Sequence, residues 1–376
     1  MKYFLIWAIF SSINAFATPL LQMNKAFHSI TELGPYLRNE EEFQNKKNRK
    51  IIQKNLKELD SAFQVAGHDH LIKHDLFAPS YELLSSNIKE SSLSFEKDKK
   101  DYSFWILKET LTLCMDCHTR LPMSVTSSFQ NGELTIDPNK IKDPYDLGVA
   151  YLIVRRFIDA KDNFTRSIQD RIIKKETGRL LLPFQQILMI EVKVKKDPTS
   201  MISIINDYLS KKHLPPTVEN ELKLWKTRLE IWQKEKAITN QIENEQELKK
   251  FIKRRLEPLK EEDSFNDSLK VDLLFGTGII SQYFFENQNS PSAPEISYWM
   301  GWMEKRLKKE NFLSTGNLYF KQCIKKYPQT PIAKECLKEY TESVEFDFSG
   351  SGGMAIPSEI KKELKDLSDL LEEKKK

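Results

Sequence analysis

The chain has 376 residues with 58 basic and 54 acidic side chains, a net charge of +4; this length argues for two or three structural units, and charges so evenly interspersed do not favour nucleic acid. Its 12 Gly fall well below the ~7% of an average domain, which argues against a turn-dense β-sandwich and for an all-α fold. A chain that is 40% hydrophobic and 30% charged is too apolar for overall disorder and too charged for a multispan membrane protein.

At the start, Lys2 precedes an apolar stretch from Tyr3 to Ile13, and Ala15-Phe16-Ala17 has the A-x-A form of a cleavage site. Residues 1–17 therefore read as a secretory signal peptide. The stretch is shorter than the ~20 residues that span a bilayer, so no transmembrane anchor is expected after cleavage. The mature chain is expected in the periplasm or otherwise secreted, where disulfides persist.

Helical patterns follow. The first, about Pro19 to Leu33, places Met23, Phe27 and Ile30 on one face and stops at Gly34-Pro35. The second, about Glu41 to Ala66, turns Ile52, Leu56, Leu59 and Phe63 inward and stops at Gly67. His68, His70 and His74 then crowd half of the six histidines into one short stretch, which reads as a polar loop rather than a metal site. A third helix, Ser80 to Phe95, carries Leu83, Leu84, Ile88 and Leu93. The fourth, Lys99 to Thr119, has Phe104, Leu107, Leu111, Cys114 and His118 at helical spacing and is stopped by Pro122.

That fourth helix holds the most specific signal. Two of the four Cys lie in Cys114-Met115-Asp116-Cys117-His118, the C-x-x-C-H signature of covalent c-type haem attachment. On a helical turn the two thiols can each bond one haem vinyl group, and His118 is then placed as the proximal iron ligand. A C-x-x-C redox pair or half a zinc site are the competing readings, but the remaining pair, Cys323 and Cys336, lies far off without a matching spacing.

A first helix bearing Met23, two central helices and a last helix ending in Leu113-Cys114-Met115-Asp116-Cys117-His118 resemble the class II, cytochrome c-prime-like proteins. The resemblance covers about residues 19 to 122, with only the haem motif specific. It implies a four-helix bundle over 18–122 around one haem c, with Met23 matching the distal residue of the family's first helix. Where family members often follow the His with an aromatic and an Arg, this chain has Thr119-Arg120-Leu121-Pro122. Met23 is thus a candidate sixth ligand or a core thioether; His28 falls away from that face, and Met123 is too near His118 in sequence to reach the opposite side of a haem.

Residues 123–142 read as a linker. From 143 to 345, Leu147, Gly148, Tyr151, Ala160 and Phe164 fit the L-G-x2-Y…A-x3-F spacing of a tetratricopeptide repeat. Near the end, Gly316, Phe320, Cys323 and Pro328 fit second-helix positions, preceded by Trp299, Met300 and Gly301. Helical patterns between them (180–194, 198–210, 217–234, 246–256 and 268–285) complete the reading of a degenerate helical-hairpin α-solenoid, with His213 a lone loop histidine. Cys323 and Cys336 flank the turn Tyr327 to Pro331 at similar distances, as a disulfide or as two small buried thiols. Residues 346–357 read as a flexible linker and 358–376 as a helix with Ile360, Leu364, Leu367 and Leu371 on its apolar stripe.

The expected function is single-electron transfer by a monohaem cytochrome whose repeat domain docks a protein redox partner or envelope complex. The alternative is a haem-based gas or redox sensor with an open iron site. No Ser/His/Asp arrangement, phosphate loop or H-E-x-x-H was found, so a non-haem enzyme is not expected, and peroxidase activity would be weak.

Overall fold

The computed structural model describes residues 22–66, 72–126, 136–139, 141–211, 214–235, 242–262, 268–307 and 315–372; residues 1–17, read above as a signal peptide, and His68, His70 and His213 lie outside them. The described residues are almost wholly helical, and none of their helices is long and apolar enough to cross a membrane. Two compact units emerge: one comprises the described residues up to His118 with 124–141 and 149–156, the other 119–123, 142–148 and the chain from Phe157 onward.

In the first unit, helix α1 covers residues 22–37 and runs through Gly34-Pro35, which were expected to end it. The second pattern begins later than expected: a short helix Glu40–Gln44, capped by the Asn39 side chain, and a 3-10 turn Lys46–Asn48 precede α2, Arg49–Ala66. Asn45 interrupts the pattern because its side chain accepts from the Lys47 N–H and starts a new turn. Helices α3, Ala78–Glu96, and α4, Lys100–Arg120, follow. Leu33, Phe43, Ile52, Leu56, Leu59, Phe63, Leu84, Ile88, Phe95, Phe104, Leu107, Leu113 and Cys114 share one apolar core. Leu93, expected inward, is exposed.

Between α3 and α4 the chain reverses in three residues, with Asp98 left-handed at φ 64° and the Lys99 N–H donating to the Ser94 carbonyl. This is the hydrogen-bond pattern of a helix stop that glycine usually supplies. The two helices are joined through serines: Ser91 Oγ donates to the Ser103 carbonyl at 3.1 Å and Ser103 Oγ to the Ser91 carbonyl at 2.8 Å, both side chains fully buried.

Helix α5, Pro144–Ile153, spans the border of the two units. The second unit contains α6 Phe157–Lys174, packed on α7 Leu181–Leu188, which is prolonged by a π-helical turn Met189–Val194; α8 Pro198–Ser210, packed on α9 Pro216–Lys234; and α10 Glu245–Phe251 with a second π-helical turn Ile252–Leu256. Helices α11 Leu269–Glu286, α12 Ala293–Leu307, α13 Gly316–Lys326 and α14 Pro331–Asp347 complete the succession. Missing side chains let elements close up. Gly278 sits so near the Lys193 carbonyl that a Cβ there would overlap it. Cβ atoms on Gly148 and on Gly301 would each fall 2.6 Å from a Phe ring, Phe164 and Phe320 respectively.

Cys323 and Cys336 are bonded to each other, joining α13 to α14. The segment read as a flexible linker instead contains the end of α14 and a two-stranded hairpin pairing Ser349 with Met354 and Gly350 with Gly353. Gly353, at φ 102°, permits its turn. Helix α15, Ser358–Glu372, folds back on α13 and α14: Leu367 and Leu371 are buried, and Glu363 accepts from Lys321 and from the Tyr340 hydroxyl, each at 2.8 Å.

Candidate functional site

The motif occupies the last turns of α4. Helical periodicity puts Cys114, Cys117 and His118 at i, i+3 and i+4, hence on one face. Cys114 is buried in the core of the first unit, while Cys117 and His118 are half-buried. The two cysteines are not bridged to each other. Burial, with Cys117 and Asp116 adding to it, pushes the Cys114 thiol well above its usual range.

His118 is fixed from two sides by the segment after α5. Its Nδ1 is hydrogen-bonded to the Ile153 carbonyl. Because a carbonyl oxygen only accepts, Nδ1 carries the proton and the imidazole lone pair belongs to Nε2. The Arg155 guanidinium donates to the His118 backbone carbonyl. Burial lowers the His118 pKa to about 4; the Ile153 bond works against this and the Arg155 charge adds to it. The ring is thus neutral at neutral pH, the form that binds metal. Arg155 itself is fully buried, and burial lowers its pKa to about 10.

Among the other sequence candidates, Met23 is half-buried on α1 and packs against the core to which Cys114 belongs. His28 and Met123 are exposed. His74 departs from the polar-loop reading: it is buried, its Nδ1 accepts from the Leu76 N–H at 2.9 Å, and its ring lies 5.9 Å from that of Phe77. This bond satisfies an amide in the turn that leads into α3. Among the described residues no group of three or more His, Cys, Asp and Glu is arranged to hold a metal ion.

Sequence reasoning missed the residues behind His118. Ile153 contributes only a backbone oxygen, which leaves no mark in a sequence. Arg155 did leave one, as a cation at the end of the apolar run Tyr151-Leu152-Ile153-Val154. Arg120, two residues past the motif, is another buried cation: it pairs with Glu304 at 2.7 Å and donates to the Tyr319 hydroxyl at 3.1 Å, within the second unit.

Compared with known proteins, the chain matches no family model, no curated protein and no solved structure.

Proposed function

We propose that this protein is a monohaem c-type cytochrome of the periplasm, or otherwise secreted, that carries single electrons and docks a protein redox partner through its second unit. The observation that carries the reading is the C-x-x-C-H turn on α4 with its histidine proton committed to the Ile153 carbonyl. A carbonyl that accepts the proton of a metal-binding imidazole orients the ring and sets its tautomer.

In this reading Cys114 and Cys117 form the thioethers, and His118 Nε2 is the proximal ligand. A haem held there supplies one-electron exchange at its iron. The chain's part is to hold it: Leu107 and Leu113 are apolar neighbours in the core that Cys114 shares, and Met23, packed on that core, is the candidate distal ligand. The helices α1 to α4 then form the four-helix haem bundle that the class II resemblance implies. The recurrence of a glycine lying under a phenylalanine ring, Gly148 with Phe164 and Gly301 with Phe320, supports a tetratricopeptide-like succession of hairpins in the second unit. The Cys323–Cys336 bond suits an oxidising compartment.

The test is visible absorption spectroscopy of the mature protein made with c-haem maturation machinery, in oxidised, reduced and CO-treated forms. Haem retained through acid-acetone extraction, low-spin reduced bands and no response to CO are expected, with Met23→Ala losing the low-spin signature. High-spin bands with rapid CO binding would replace the carrier by an open-site sensor, and no covalent haem would end the cytochrome reading.

A further inference from the structure

The haem reading requires Cys114, Cys117 and His118; it does not by itself require what stands behind them. Helix α5 ends in a left-handed residue, Arg155 at φ 61°, with the Arg155 N–H donating to the Leu152 carbonyl at 3.0 Å and the Arg156 N–H to the Tyr151 carbonyl at 2.9 Å. This reversal brings two groups of one short segment to His118: the Ile153 carbonyl to the ring and the Arg155 guanidinium to the backbone carbonyl. Arginine is a costly choice at this position. Left-handed backbone favours glycine or asparagine, and a fully buried guanidinium forgoes its hydration. The arrangement recovers part of that cost, because the His118 carbonyl lies in the last turn of α4, where the helix dipole presents partial negative charge to a cation. The guanidinium is thereby held, fully buried, one residue's backbone away from the imidazole.

We propose that Arg155 is a positioning residue for an iron held by His118, clamping the motif turn from behind and raising the reduction potential, while the Ile153 carbonyl holds the imidazole proton on Nδ1. The proposal rests on the cytochrome reading. Its physics is electrostatic: oxidised iron carries one more positive charge than reduced iron, so a buried cation beside its ligand disfavours the oxidised form. The neutral carbonyl acts in the same sense, since a carboxylate in its place would draw the Nδ1 proton away and give the ring anionic character that favours oxidised iron.

The test compares wild type, Arg155→Asn and Arg155→Lys, each produced with haem maturation machinery. Covalent haem is scored by haem staining after denaturing, thiol-reducing electrophoresis, and the midpoint potential by spectroelectrochemical titration. Asparagine tolerates left-handed backbone, so Arg155→Asn removes the charge and spares the turn. Haem attached in all three, a midpoint lowered in Arg155→Asn and a midpoint close to wild type in Arg155→Lys are expected. A midpoint unchanged by Arg155→Asn, or lowered as much by Arg155→Lys, would overturn the proposal. Wild type without covalent haem sinks the cytochrome reading and the proposal with it, a result distinct from attached haem whose potential ignores residue 155. If neither variant accumulates, Met23→Ala decides, since its iron is then open to CO: after CO photolysis of the reduced protein, an iron–histidine stretching band in the neutral-imidazole range supports the arrangement, and one in the imidazolate range overturns it.

Discussion

The two units bury their polar groups by different means. In the first, the buried side chains find main-chain partners: Ser91 and Ser103 exchange bonds with each other's carbonyls, and His118 bonds the Ile153 carbonyl. In the second, the Thr277 and Ser297 hydroxyls also bond main-chain carbonyls, but buried charge meets charge or an indole: Arg120 meets Glu304, while Asp272 accepts from Trp232 Nε1 at 2.7 Å and faces Arg228 at 3.6 Å. A main-chain acceptor is a neutral dipole that no substitution removes. A charged partner can be deleted, and what it leaves behind is an uncompensated ion.

The sharpest way to break that comparison is Glu304→Ala, which strands the Arg120 guanidinium in the second unit. A loss of about 3–5 kcal/mol is expected in denaturant unfolding, with much of it recovered in the apolar double variant Arg120→Met, Glu304→Leu. An effect below about 1 kcal/mol would remove the distinction between the units. For the first unit, Ser91→Ala with Ser103→Ala deletes both hydroxyl donors, yet each carbonyl also serves as an acceptor within its own helix. The expected cost is smaller, about 1–2 kcal/mol for the pair, read in the same experiment.

A third measurement uses pH. Burial raises the Asp272 pKa, against the opposing pull of the Trp232 bond and the Arg228 and Arg255 charges. From its unfolded value near 3.8 up to its raised folded value, the native state holds more protons than the unfolded state. Stability contributed by this group is therefore present below that window and lost as pH rises through the folded pKa. Asp272→Asn keeps an oxygen for Trp232 and cannot titrate, so relative to wild type it should be more stable at pH 7 than at pH 4. Equal differences at the two pH values would show that the arginines, rather than burial, govern the carboxyl.

The smallest effect concerns punctuation, and it explains how much of the molecule could be read in advance. Patterns of apolar spacing located the helices well: Ile52, Leu56, Leu59 and Phe63 on α2 all face the core. Stops were harder to read. Gly34-Pro35, a strong stop in sequence, lies inside α1, whereas Asp98, Arg155, Lys175 and Lys196, none of them glycine, adopt the left-handed conformation. In a chain with few glycines the tertiary structure imposes those turns, and local propensity does not announce them. Lys175, exposed at φ 57°, should therefore yield about 0.5–1 kcal/mol of added stability on substitution by glycine, measured as a raised unfolding midpoint.

The candidate site shows the same division. Cys114, Cys117 and His118 stood out by their C-x-x-C-H spacing, and Met23 by its match to the distal residue of the first helix in the family the chain resembles. The Ile153 carbonyl did not, since a backbone oxygen carries no residue identity, and Arg155 looked like the polar end of an apolar run until the reversal after α5 buried it.

The return of α15 onto α13 and α14 makes its attachment a matter of local concentration. Held by the hairpin through Gly353, the apolar stripe of Leu367 and Leu371 meets its site as part of the same molecule; a single cut in that hairpin would turn the contact into an ordinary bimolecular association. Proteolysis there would shed an amphipathic peptide and uncover apolar surface on α13 and α14, so nicked material should aggregate while the intact chain stays monodisperse.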